Sequence, residues 1–271
     1  MPDLSPFEEL LSLLDLETIE HNLFRGYHPA GRTRRLFGGQ IIAQALVAAI
    51  KTVPDDRLPH SLHAYFLRPG DPSVPALFKV ERIRDGRSFT TRRIVVVQNG
   101  KAIFNMDVSF QVEEEGLFHQ LDMARLTPPD ESSIVEGLKQ RPFLSWREDH
   151  KRLLRETPQE PIQHIWTKAN GVAPADPRLN LALLAYQSDD ALLGTSRLPH
   201  RGSFERENMQ VASLDHSIWF HQPVNVGDWL LYSLNSPAAG GARGYTQGTI
   251  HSADGNLVAS CMQEGLIRVR S

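Results

Sequence analysis

The 271-residue chain contains one cysteine, Cys261. A lone thiol closes no internal disulfide, which fits a protein of a reducing compartment held together by its core. No apolar run approaches the roughly 18 residues that would suggest a membrane-spanning helix. The opening Met1-Pro2-Asp3-Leu4-Ser5-Pro6-Phe7-Glu8-Glu9 is acidic and lacks the positive and apolar regions of a secretory signal. The closing Arg268-Val269-Arg270-Ser271 is no peroxisomal address, so a cytoplasmic location is the expectation. There is no excess of positive charge: the formal net charge is −3, which argues against a general nucleic-acid binder. Also missing are a Gly-x-Ser-x-Gly elbow, a His-Glu-x-x-His pair, a phosphate loop and a dinucleotide fingerprint. Any chemistry is therefore expected to use ordinary polar side chains, with no metal and no bound cofactor.

What the chain does have is a long internal repeat. Ser61-Leu62-His63-Ala64-Tyr65-Phe66-Leu67-Arg68-Pro69 is echoed by Ser213-Leu214-Asp215-His216-Ser217-Ile218-Trp219-Phe220-His221-Gln222-Pro223. Each passage opens on Ser-Leu and runs through an aromatic-Phe pair to a proline. The turns Asn99-Gly100 and Asp254-Gly255 correspond, as do Gln111 and Gln263 on the closing strands. The offset stays between 152 (Ser61 to Ser213) and 155 (Asn99 to Asp254) positions. A period this long is no solenoid repeat and reads as a duplicated domain of roughly 110–120 residues.

Hydrophobic spacing fills in the elements. Residues 5–14 carry Phe7, Leu10, Leu11 and Leu14 at helical intervals, and 16–27 read as extended. After Gly38-Gly39, the stretch Gln40–Ile50 is small and apolar nearly all round, the mark of a buried helix ending before Pro54. Strands are predicted at 61–68, 74–84, 87–98 and 101–112, the last two joined by Asn99-Gly100. Residues 116–160 read as a charged, proline-bearing linker, long enough that partial order is expected, with a short helix near 132–139. In the second copy, Asp176-Pro177 starts another mostly apolar helix that runs to Asp190. Strands follow at 210–222, 228–236, 243–252 and 256–269. The expected class is α+β: two tandem hotdog domains, 1–115 and 161–271, each with a central helix wrapped by an antiparallel sheet.

Three polar residues stand out against apolar surroundings. Asp189 lies late on the second helix, where a buried carboxylate is costly without hydrogen bonds; for an Asp-Asp pair such as Asp189-Asp190 the commoner role is a solvated helix end. Gln263 sits in the otherwise apolar strand 257–267 and is either an edge amide or a functional one. Ser213 heads the repeated strand, where serine is commonly structural. His63 and His216 lie in the repeated motif, where a histidine could act as a base or meet substrate, but His63 aligns with Asp215, which suggests a shared polar position at a strand start. Cys261 shares a strand face with Gln263 and could be a nucleophile, although a small core residue is the commoner role. Arg32-Thr33-Arg34-Arg35 and Arg243 are candidates for phosphate contact or solvated loops.

These words together resemble the acyl-CoA thioesterase II family: Phe37-Gly38-Gly39-Gln40, His63 to Asp71, Ala185-Tyr186-Gln187-Ser188-Asp189, Leu214 to His221, and Gln263-Glu264-Gly265. They span the chain in order, apart from the linker. The resemblance implies hydrolysis of fatty acyl-CoA to free acid and coenzyme A, and self-association into homodimers or homotetramers. The family's Asp, Ser or Thr, and Gln triad falls on Asp189, Ser213 and Gln263. Such a trio would activate and aim a water without a covalent intermediate. An oxyanion would then be met by backbone donors at Gly38-Gly39-Gln40, where a helix begins. Two other readings belong to this fold: an enoyl-CoA hydratase, which calls for an Asp-His pair at the central helix, and a non-catalytic acyl-CoA-binding module, which would lack the polar trio.

Overall fold

A computed structural model describes residues 4–28, 35–130, 140–147, 149, 156–203 and 208–270. The helix predicted near 132–139 lies outside the described residues. The first element is α1 (Pro6–Leu14). Ser5 and Glu8 close a reciprocal capping box at its start, and Phe7, Leu10 and Leu14 are buried. Strands β1 (Glu17–Glu20) and β2 (Leu23–Gly26) form a hairpin through Asn22.

Helix α2 (Gly38–Ile50) is buried at every residue from Gly39 to Ile50. A helix with no polar face must be surrounded, and α2 touches β2 and the strands of the first meander: β3 (Arg57–Phe66), β4 (Ala76–Asp85), β5 (Phe89–Gln98) and β6 (Lys101–Val112). Asn99 and Gly100 both have positive φ (48° and 72°), the geometry that Asn-Gly supplies for a two-residue hairpin between β5 and β6.

The second half repeats this order. After β7 (Phe143–Trp146) and β8 (Ile162–Ala169) comes α3 (Pro177–Ser188). Its N-cap Asp176 accepts from the Arg178 N–H at 2.8 Å. Next come α4 (Leu192–Ser196), β9 (Met209–Ser213), β10 (Asp215–Phe220), β11 (Leu230–Gly240), β12 (Arg243–Ser252) and β13 (Leu257–Val269). All described strands join one antiparallel sheet in the order β1-β2-β4-β5-β6-β3-β10-β13-β12-β11-β8-β7, with β9 also pairing β13. Outward from the centre, β3-β6-β5-β4-β2 on one side mirrors β10-β13-β12-β11-β8 on the other. The halves meet where His63 of β3 pairs with Ser217 of β10.

The predicted strands correspond to β3–β6 and to β10–β13 with end shifts of a few residues. The linker is partly ordered, as its length suggests, and two features differ from expectation. The expected linker contributes β7, which pairs with β8 at the sheet edge, and Gln120, which donates to the Gly255 carbonyl at 2.8 Å and accepts from the Leu257 N–H at 3.0 Å. The strand expected over 210–222 divides at Leu214 into β9 and β10. Helix α4 has no counterpart among the expected elements. Among the described residues no helix is long and apolar enough to cross a membrane.

Helices α2 and α3 pack against each other on the inner face of the sheet. A Cβ on Gly39 would run into the Tyr186 carbonyl oxygen and come within 2.6 Å of the Phe37 ring. Gly39→Ala is expected to lower the free energy of unfolding by about 1–3 kcal/mol, since backbone cannot move aside as a side chain can. Denaturant titration followed by circular dichroism checks this; an unchanged midpoint would mean that the helices do not cross at this glycine.

Candidate active site

The end of α3 meets the start of α2. Asp189, the C-cap of α3, points its carboxylate into this junction. Its Oδ2 accepts from the Gly39 N–H at 2.8 Å, and its Oδ1 accepts from Gln263 Nε2 at 2.5 Å. A helix N-terminus offers both a free N–H and a positive field end, so it is a natural seat for an anion. Burial nevertheless dominates: it pushes the Asp189 carboxyl up to about 6, against the lowering by Gln263 and Gly39, and nearby Asp190 adds to the rise. Of the two expectations for Asp189, the hydrogen-bonded carboxylate is the one observed.

Gln263 points inward from β13 and is only 2% exposed. Its Nε2 also lies 3.4 Å from His216 Nδ1, while its Oε1 is buried with no hydrogen-bond partner. Ser213 faces Gly265 across the β9–β13 pair. Paired residues share a sheet face, so Ser213 lies on the same inner face as Gln263, one diagonal step away. It makes no direct hydrogen bond to Asp189 or Gln263. Ser213 instead lines a cavity of about 410 Å³ walled by Gly38, Ile41, Phe66, Phe104 and Leu214, with Arg35 and Arg68 also lining it. Gly38 stands between this cavity and the carboxylate: a Cβ there would lie 2.6 Å from Asp189 Oδ2 and 2.9 Å from the Phe66 ring.

The other candidates fall elsewhere. The Gly39 amide, expected to face an oxyanion, instead holds Asp189. The next amide of the helix, Gln40 N–H, meets no acceptor among the described residues. The Gln40 side chain reaches away to Tyr27 O (3.3 Å) and His28 Nδ1 (3.0 Å). His63 is exposed, bonds Ser217 Oγ at 3.0 Å and meets the Trp219 ring edge-on, on the face opposite Leu62 and Ala64. Arg243 is exposed and paired with Glu264 at 2.9 Å. Arg32 and Arg34 lie outside the described residues. Cys261 is buried at the Tyr232 hydroxyl (2.8 Å), and burial pushes its thiol up to about 12, so it is a core residue and not a poised nucleophile. His216 is fully buried beside Gln263; its place in the repeated motif was visible, but its partner Ser188 was not.

Comparison with known proteins agrees with the motifs. Residues 139–266 match the family described as acyl-CoA thioesterase, and residues 26–111 match the acyl-CoA thioesterase N-terminal domain. The chain is 41% identical to "Acyl-coenzyme A thioesterase 8" of Mus musculus, over 96% of this chain and 88% of that protein. The crystal structure of an acyl-CoA thioesterase II from Mycobacterium marinum superposes with a TM-score of 0.85 at 41% identity, covering 97% of this chain and 99% of that one. A protein from Alicyclobacillus acidocaldarius described as having a hot dog fold superposes at 0.80 with 17% identity, over 97% and 99% of the two chains, and speaks for the fold alone.

Two outcomes follow from this geometry. Thiol reagents are expected to leave Cys261 unmodified in the folded protein; rapid labelling without unfolding would contradict its burial. The raised carboxyl also links stability to pH. Unfolded, Asp189 loses its proton near its ordinary value of 3.8, whereas folded it keeps the proton to about 6. Between these values the unfolded chain binds fewer protons, so rising pH favours unfolding. The stability of wild type relative to Asp189→Asn is therefore expected to fall from pH 4 to pH 6 and to level off above; a flat difference across that range would refute the shift.

Proposed function

The chain belongs to the acyl-CoA thioesterase family, and from that membership we propose that it hydrolyses fatty acyl-CoA through a water activated by Asp189 and directed by Gln263 and Ser213. The family places it among thioester hydrolases with a hotdog fold. The observation that carries the finer reading is the Asp189 carboxylate, seated between the Gly39 N–H and the Gln263 amide and held at a proton affinity suited to neutral pH.

In this mechanism the water oxygen attacks the thioester carbonyl carbon while Asp189 takes one of its protons. The other proton is held by an acceptor, and the buried, unpartnered Gln263 Oε1 suits that task. Ser213, which lines the cavity, adds a hydroxyl able to donate and accept. The carbonyl oxygen becomes negative and requires a preorganised donor; with Gly39 engaged by Asp189, the Gln40 N–H is the amide of the helix start assigned to it. When the tetrahedral species collapses, the C–S bond breaks. The coenzyme A thiolate leaves with the proton that Asp189 held, and a carboxylic acid remains.

The same proposal divides the chain into two tandem hotdog units, residues 1–115 and 161–271, joined by 116–160. The mirrored strand order supports it, as does one central helix per half. The site then takes Gly38 and Gly39 from one unit and Asp189, Ser213 and Gln263 from the other. A homodimer or homotetramer belongs to the proposal as well; the outer sheet face exposes Tyr65 and Met262, which a partner would cover. The hydratase alternative calls for Asp189 to pair with a histidine, but buried His216 bonds Ser188 and Gln263 instead.

The test is free-thiol release from acyl-CoAs of increasing chain length. Wild type is expected to turn over steadily, and Asp189→Asn to lose roughly a hundredfold or more in kcat. Binding without thiol release would favour the binding module. Full turnover by the variant would remove Asp189 from the base role.

A further inference from the structure

The water-activating reading leaves His216 unused, although it is a fully buried polar side chain beside the reacting groups. We infer that His216 is a positioning residue: with Ser188 it fixes the direction of the Gln263 amide, so that Gln263 Oε1 faces the attacking water. This inference rests on the water-activating reading of the site.

Ser188 Oγ donates to the Ala185 carbonyl at 2.9 Å. Having spent its only proton, Ser188 Oγ can meet His216 Nε2, 2.9 Å away, only as an acceptor. His216 Nε2 therefore carries the ring proton and Nδ1 is a bare acceptor. Burial pulls the imidazole down to about 3, so no second proton reaches Nδ1 at working pH.

The Gln263 amide then faces two acceptors, His216 Nδ1 at 3.4 Å and Asp189 Oδ1 at 2.5 Å. Both ask for its NH2 end. In the opposite orientation the amide oxygen would confront a carboxylate oxygen and an imidazole lone pair. The NH2 group is thus fully committed, and Oε1 remains as the unpartnered acceptor. Asp189 alone specifies the amide only while ionised; once protonated it could donate to Oε1 and let the amide turn. His216 specifies it in either state. The Ser188 backbone carbonyl is itself held by the Tyr232 hydroxyl at 2.7 Å, which pins this end of α3.

The test is a double-mutant cycle on thiol release, with folding checked by circular dichroism. His216→Leu is expected to lower kcat by roughly 10–100-fold with KM changed less than twofold, because water and not substrate is misdirected. His216→Asn can place an amide oxygen near the Nδ1 position and is expected to recover most of that loss. In the Gln263→Ala background, His216→Leu is expected to cost no more than about twofold further, since its target is gone. A full additional loss there would overturn the inference, as would a His216→Leu enzyme with normal kcat. If His216→Leu does not fold, His216→Asn against His216→Gln decides: equal rates would overturn it, since glutamine does not present an acceptor at the Nδ1 position. Failure of the underlying reading shows separately, as undiminished turnover in Gln263→Ala alone.

Discussion

The structure turns on one partly buried contact, the Asp189 carboxylate against the first turn of α2. A carboxylate at this depth is expensive unless its oxygens are satisfied. Here each oxygen has a donor, one from a helix of the first half and one from a strand of the second. The contact therefore joins the halves of the chain through a group that chemistry can also use. It depends on two glycines. Any side chain on Gly39 would push α3 away, and any side chain on Gly38 would press on the carboxylate itself.

Around that contact the polar groups form a layer inside an otherwise apolar core. Tyr232 and His216 hold Ser188, and Gln263 bridges His216 and Asp189. Such a network is stable only when nearly every member is satisfied, and the exception is then informative. That exception is Gln263 Oε1, on the amide that also holds Asp189. The adjoining cavity supplies apolar walls, with Ser213 and two arginines among its lining residues, a composition compatible with an acyl chain and an anionic carrier.

Much of this was legible in the sequence because the signals were local. The apolar run Gln40–Ile50 dictates a buried helix, and Asn99-Gly100 dictates a tight hairpin. Asp189 stands out as an acid late on a mostly apolar helix, and Gln263 as an amide within an apolar strand. The misses were of two kinds. Strand β7 and helix α4 are four and five residues long, too short for a period to emerge, and β7 lies in a segment rich in charge and proline. The other misses concern partners: Gly39 bonding Asp189 spans 150 positions, and Ser188 meeting His216 spans 28. No spacing rule reaches across such separations; only the crossing of the helices over the sheet brings these groups together.

Water activation requires an ionised Asp189 to take the proton. The most direct measurement is the pH dependence of kcat/KM with a substrate that does not titrate in the range. Activity is expected to rise with pH through an apparent pKa near 6 and then to plateau, because the base must be free of its proton. Replacing Gln263 by leucine removes the bond that lowers that value, so the residual activity should titrate at higher pH. A profile flat down to pH 4.5, or one whose midpoint is the same in the Gln263→Leu variant, would contradict the account.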